Sequence, residues 1–196
     1  MTRETTVAVV GGGAAGLTAA HFLARAGIGV EVIDQDRSIL KRAQLHNLPG
    51  SEVLEGRDLL TGLRAKVAAA GVATTADKVN DIAPVEGGFD VTLGDGTVLR
   101  SRYVVLATGQ GTLKLPSLPL QTDEARQPYV KVNIRTDRWG ATSVPGVWAA
   151  GVVAGWPSQA VVCAGSGANV AIEIATAING EFWVDHDDSP AASEAE

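Results

Sequence analysis

Three glycines at Gly-x-Gly-x-x-Gly spacing, Gly11, Gly13 and Gly16, follow directly on the apolar run TVAVV at 6–10. These residue types at this spacing carry a definite chemistry. A glycine at 11 permits a sharp turn off a strand, and one at 13 leaves no side chain where a pyrophosphate would approach. One at 16 lets the next helix close on the strand. The N-terminus of that helix presents free N–H groups and the positive end of its dipole, so it favours phosphate. About 18 residues past Gly16, Asp34 ends a second β-branched run and can accept hydrogen bonds from ribose hydroxyls. Together these residues read as a dinucleotide site rather than a glycine-rich surface turn. The loop alone does not separate FAD from NAD(P), because Arg37 is placed to take a 2′-phosphate.

Other groups offer weaker chemistry. His46 lies in an irregular segment and is a candidate for proton transfer, although a polar loop residue needs no such role. Cys163, between Val162 and Ala164, reads first as a small buried hydrophobe. Its second reading is a thiol activated by a helix N-terminus. Trp156 precedes the last helix and is a candidate cover for a bound ring system. No metal site is expected.

For these groups to converge, the chain must supply strand, turn, helix and strand in that order. Residues 6–10, 11–16, 17–26 and 29–34 do so, with Gly27 closing the helix, and make a βαβ unit of about 30 residues. Residues 52–70 repeat leucines at helical spacing up to Gly71. Segments 79–85, 89–93 and 97–103 alternate as strands between Gly-rich turns and predict an antiparallel meander before a parallel strand at 103–107. A strand at 144–150 and a small-residue helix at 159–179 complete the pattern, while 110–128 is aperiodic and reads as a linker. The expected fold is α/β, a doubly wound Rossmann-like FAD/NAD(P)-binding fold with a parallel sheet plus a three-stranded antiparallel β-meander. One domain spans 1–184, and 185–196 form an acidic, mobile tail.

Composition narrows the classes. The chain has 196 residues, 45% hydrophobic and 19% charged, which suits one packed domain. A formal charge of −6 without a basic stripe argues against nucleic acid. A single cysteine makes no internal disulfide and implies no oxidising compartment. The apolar stretch 7–26 is broken by glycines, His21 and Arg25, so it does not read as a signal peptide. No uninterrupted apolar run reaches the roughly 20 residues of a membrane helix. The expectation is a cytoplasmic protein without membrane association.

Four segments carry a resemblance to the thioredoxin-reductase branch of the pyridine nucleotide-disulfide oxidoreductases. They are VVGGGAAGLTAAHFLARAG (9–27), HNLPG (46–50), VVLATG (104–109), and TSVPGVWAAGVVAG with QAVVCAGSGANVAIEI (142–174). The resemblance implies FAD. It places Gly12, Ala14 and Ala15 at the pyrophosphate, Asp34 with Gln35 and Arg37 at the adenosine ribose, and Val79 at the adenine. It sets Asn47 at the flavin edge, Thr108 and Gly109 under the cofactor, Gly151 and Val152 at the ribityl phosphate, and Gln159 and Ala160 at the start of the last helix.

The departures matter as much. Gly109 and Thr142 stand about 32 residues apart, too close for the second βαβ domain that binds NADPH in full-length relatives. With one cysteine there is no CxxC. Val152 stands where the family has an acid, and Asp36-Arg37-Ser38 replace its Gly-Gly-Gln. Three functions follow as expectations. The first is an FAD oxidoreductase fed by free NAD(P)H, a partner reductase or a redox protein through an exposed flavin, with a homodimer left open. The second is a non-catalytic FAD-binding subunit or sensor module of a larger complex. The third is an NADP-binding protein using Arg37.

Overall fold

The computed structural model describes residues 2–111, 114–184 and 186. The expected tail at 185–196 lies, but for residue 186, outside the described residues.

The chain runs β1 (Thr2–Val10), α1 (Ala14–Arg25), β2 (Val30–Ile33), a 3-10 turn (Ile39–Arg42), β3 (Gln44–Leu45), β4 (Leu54–Glu55), α2 (Gly56–Ala69), β5 (Ala73–Thr75), β6 (Val79–Val85), β7 (Gly88–Leu93), β8 (Val98–Leu106), β9 (Thr122–Glu124), β10 (Val132–Ile134), β11 (Val147–Ala149), a second 3-10 turn (Gly151–Ala154) and α3 (Ala160–Asn179). A seven-stranded sheet has the order β5-β2-β1-β8-β7-β6, with β11 also paired to β8. β1 lies parallel to β2 and β8, and β2 to β5. Val7, Ala8 and Val9 are fully buried because both faces of this central strand are covered.

The two faces are covered differently. Val7, Val9, Val32 and Val105 point into a core shared with Leu17 and Leu23 of α1, Leu60 and Val67 of α2, and Val170 and Ile174 of α3. Ala8, Val10, Ile33, Val104 and Leu106 point the other way, toward Ile82, Phe89 and Leu93 of the meander and toward Leu115, Leu118 and Ile134. The period-2 alternation of β1 thus feeds a helical layer on one side and a β layer on the other.

Several sequence expectations shift in register. The strand expected at 6–10 begins at Thr2. The third meander strand and the next parallel strand are one element, β8. Val98–Ser101 pair with β7, while Val104–Leu106 pair with β11 on the same edge. Its burial alternates at first and becomes continuous at the end, so the pattern marks a change of covering layer rather than the end of a strand. The helix expected from 52 starts at Gly56, because Leu54–Glu55 pair with Gln44–Leu45. The supposed linker carries β9, which pairs with β10, and buries Leu115 and Leu118.

Both crossover helices stop where the sequence said. Gly27 (φ 73°) and Gly71 (φ 77°) take the left-handed conformation. Ile28 N–H then reaches Leu23 O and Val72 N–H reaches Val67 O, closing a paired C-cap at each helix end. α3, at 20 residues with an 18-residue window of mean hydropathy 1.6, is long and apolar enough to cross a membrane by length and composition, though Ser166, Asn169 and Glu173 interrupt its apolar run. It serves instead as a core helix. It packs so closely on α1 that a β carbon at Gly167 would fall on the main-chain oxygen of Ala15.

Candidate functional site

The glycine loop is built as its spacing predicts, but its glycines do different jobs. Gly11 N–H donates to Ile33 O at 2.8 Å, and Ala107 N–H to Val10 O at 2.8 Å, so the turn is tied to both neighbouring strands. Gly11 has φ 112°, and a β carbon there would meet the Ala107 main-chain oxygen. At Gly16 a β carbon would meet the Gly11 oxygen, and at Gly12 it would meet the Asp34 carboxylate. Those three positions are glycine for reasons internal to the fold. Gly13 is not: its φ is −86°, and a β carbon would find only Ser38 Oγ at 3.6 Å. The side chain missing at 13 leaves room in a cleft.

That cleft consists of two adjoining cavities that share Gly13, Ser38, Ile39, Ala107, Gly109 and Gln110. One, of about 300 Å³, is lined by Ala14, Ala15, Asn47, Gly109, Gly151, Val152, Gln159, Ala160 and Cys163. The other, of about 360 Å³, is lined by Gly11, Gly12, Asp34, Gln35, Arg37, Val79, Thr108 and Gly109. Both volumes are typical of small-molecule sites. Gly16 lies beneath the loop, outside both cavities. His46 is exposed and lines neither; its neighbour Asn47 faces the cleft instead. Trp156 is 41% exposed and borders a separate groove with Arg126 and Asn133, so it does not cover the cleft.

The lining suits an extended anionic ligand. α1 begins at Gly13 and α3 at Gln159; neither has a side-chain cap nor an acid in its first turn, so their N–H groups and dipoles are uncompensated. Thr108 Oγ1 is buried without a hydrogen-bond partner among the described residues, beside the second cavity. A buried hydroxyl left unpaired in a cleft points to a polar ligand group. These observations fit FAD, an extended ligand with a pyrophosphate at its middle.

Electrostatics differ at the two ends. At the Asp34 end Asp34 and Asp36 share Arg64, whose Nη2 lies 3.3 Å from Asp34 Oδ2 and 2.5 Å from Asp36 Oδ1. Lys41 Nζ reaches the other Asp36 oxygen at 2.5 Å. Lys41 and then Arg64 hold the Asp36 carboxyl below the usual carboxylate range. Asp36 stands where the family has glycine, and its φ of 57° keeps the left-handed backbone that aspartate tolerates better than most residues. Arg37 is exposed and makes no ion pair among the described residues.

At the other end Cys163 lies against the cavity, its thiol donating to Pro157 O at 3.4 Å. Burial raises its pKa, so the thiol stays protonated near neutrality and the activated-thiol reading finds no support here. Gly151, at φ 72°, has no room for a side chain beside Ala15, and its N–H donates to Ser166 Oγ at 2.9 Å. Asn133, which the sequence did not flag, is buried on β10 and donates to Val152 O at 2.8 Å. Sequence reasoning also passed over Ser38, Gln110 and Arg64. Their relevance comes from contacts far along the chain, for which no local signal exists.

Comparison with known proteins agrees with this geometry. The family described as pyridine nucleotide-disulphide oxidoreductase matches residues 5–127 and 63–167. A ferredoxin–NADP reductase of Granulibacter bethesdensis is 28% identical over 130 residues, covering 62% of this chain and 37% of the relative. One from Salinispora tropica is 32% identical over 130 residues, covering 60% and 39%. The chain thus spans well under half the length of these relatives. Among solved structures, a thioredoxin reductase from Gloeobacter violaceus superposes with a TM-score of 0.78 at 19% identity, covering 95% of this chain and 99% of that one. An oxidoreductase from Agrobacterium tumefaciens gives 0.80 at 15% identity, covering 91% and 100%. At such identities these structures speak for the fold alone. With the family matched over most of the chain and its cofactor cleft in place, this protein belongs to the pyridine nucleotide-disulphide oxidoreductases, a family of FAD-binding flavoproteins.

Proposed function

We propose that this chain is an FAD-dependent oxidoreductase whose electrons arrive from outside it, through the Cys163 end of the cleft. The observation that carries the reading is what lies between β8 and β11. Among the described residues that stretch forms the β9–β10 ribbon and docked loops rather than a second βαβ unit, so it offers no nicotinamide site of its own. We take the donor to be a diffusing nicotinamide, a partner reductase or a redox protein of the ferredoxin class. Disulfide relay by a CxxC pair is not part of this activity, because Cys163 is the single cysteine and its thiol is buried and protonated.

FAD supplies two-electron chemistry at its ring. The chain supplies position and field. Gly13 and the α1 N-terminus would receive the pyrophosphate and Asp34 the ribose. The α3 N-terminus at Gln159 would favour negative charge at the near edge of the ring, which grows on reduction.

A second reading, a non-catalytic FAD-binding subunit or sensor, draws on a different observation. Among the described residues the Cys163 end brings no acid–base or thiol pair together: Val152 stands where the resemblance implies an acid, His46 is exposed and lines neither cavity, and Cys163 is a lone buried thiol. An anaerobic absorbance spectrum before and after adding NADPH or NADH tests both. Bleaching of the flavin bands supports the oxidoreductase with a free donor. Bleaching only with a reduced ferredoxin supports a protein donor. Bands that persist with either favour the second reading, and absence of bands after FAD is supplied overturns both.

A further inference from the structure

The acid at the ribose end does not stand alone. Asp34 is the last residue before the chain turns, and its carboxylate passes directly over Gly12. Only 13% of its side chain is exposed. From α2, thirty positions along the chain, Arg64 reaches the same Oδ2 that lies over Gly12. Among the described residues no side-chain hydrogen bond or ion pair engages Asp34 Oδ1, and the cavity opens on this side chain. Arg64 is itself fixed, because its Nη2 also binds Asp36 Oδ1, and Lys41 holds the remaining Asp36 oxygen and main-chain oxygen.

We infer that Arg64 is a positioning residue for Asp34: it pins Oδ2 against the Gly12 backbone and leaves Oδ1 to accept a hydrogen bond from the ribose hydroxyls of the bound adenine dinucleotide. The inference deepens the cofactor reading given above and rests on it. The physical reason is geometric. Two carboxylates two residues apart repel, and a partly buried one without a partner rotates toward water. A lone surface ion pair would restrain little, but here one nitrogen is shared by two acids and a second cation closes the chain of charges. Arg64 also rides on a helix whose Leu60 and Val67 are buried in the main core, so its origin is rigid.

The test compares ADP with 2′,3′-dideoxy-ADP by calorimetry on the flavin-free protein. A charged hydrogen bond to the ribose makes wild type prefer ADP by about tenfold. In Arg64→Met that preference falls toward one while dideoxy-ADP binding is unchanged. Asp36→Asn, which loosens Arg64 without touching Asp34, gives an intermediate ratio, and it decides the matter if Arg64→Met does not fold. A variant that weakens both nucleotides equally, or that keeps the wild-type ratio, overturns the positioning role, as does a wild-type ratio of one. FAD titration run alongside separates the two readings. ADP discrimination without FAD binding would sink the FAD assignment and leave Arg64 in its role.

Discussion

The side-chain amide of Asn133 donates to the main-chain oxygen of Val152 at 2.8 Å, and with it β10 supports the turn that lines the Cys163 end of the cleft. Asn133 is 6% exposed, and its nitrogen also lies 3.4 Å from Val153 O. β10, just past the segment expected as a linker, therefore carries a buried contact to the cleft. Replacing Asn133 with leucine removes one of the two hydrogen bonds to the Val152 oxygen, the other coming from Gly155 N–H at 3.0 Å, at a cost of about 1 kcal/mol. Urea unfolding of the flavin-free protein should show that loss. Riboflavin binding, followed by fluorescence quenching, should weaken while ADP binding holds. Unchanged stability and unchanged riboflavin affinity would refute the support.

Gly13 and Gly16 should separate cofactor binding from folding. A β carbon at 13 meets nothing closer than Ser38 Oγ at 3.6 Å, so Gly13→Ala should fold with a Tm close to wild type. It should nonetheless retain FAD at least tenfold less tightly, and Gly13→Val should retain none, because the added carbons occupy the pyrophosphate approach. Gly16→Ala should instead destabilise the flavin-free protein by on the order of 3 kcal/mol, since its β carbon falls on the Gly11 carbonyl. The ratio of flavin to protein absorbance, with thermal melts, checks both.

Val152 is 5% exposed and lines the Cys163 end of the cleft, at the position where the resemblance implies an acid. Val152→Asp should lower the stability of the flavin-free protein by about 1–3 kcal/mol, because a carboxylate is buried without a partner. It should at the same time tighten FAD, since the ribityl hydroxyls supply that partner. Calorimetric titration measures the affinity. Weaker FAD binding would mean that the ribityl chain runs elsewhere.

Cys163 gives a pH dependence whose sign is fixed by burial. Its folded-state pKa is raised above the ordinary thiol range, so its contribution to stability is complete below the unfolded-state value and is lost as pH rises through the folded one. Alkylation by iodoacetamide at pH 8 should be at least tenfold slower than in the urea-unfolded chain, read by mass spectrometry. FAD should slow it further. Alkylation as fast as in the unfolded chain would show a reactive, accessible thiol.

What the sequence determined was local. Gly11, Gly13 and Gly16, with Asp34 one strand later, specify a loop by backbone sterics and hydrogen bonding within a single βαβ unit, and such rules are written in neighbouring residues. Gly27 and Gly71 likewise mark helix ends because only the left-handed conformation closes those caps. The fold and most of the cleft lining were legible in that way, through motifs that each form from adjacent positions. Tertiary structure decided the rest. β8 is one strand because two different partners share its edge, and 110–128 is part of the core because Leu115 and Leu118 find an uncovered sheet face. Arg64 reaches Asp34, Asn133 reaches Val152, and His46 turns to solvent while Asn47 faces the cleft. Each of these depends on where distant segments come to rest, which packing sets and no local spacing encodes.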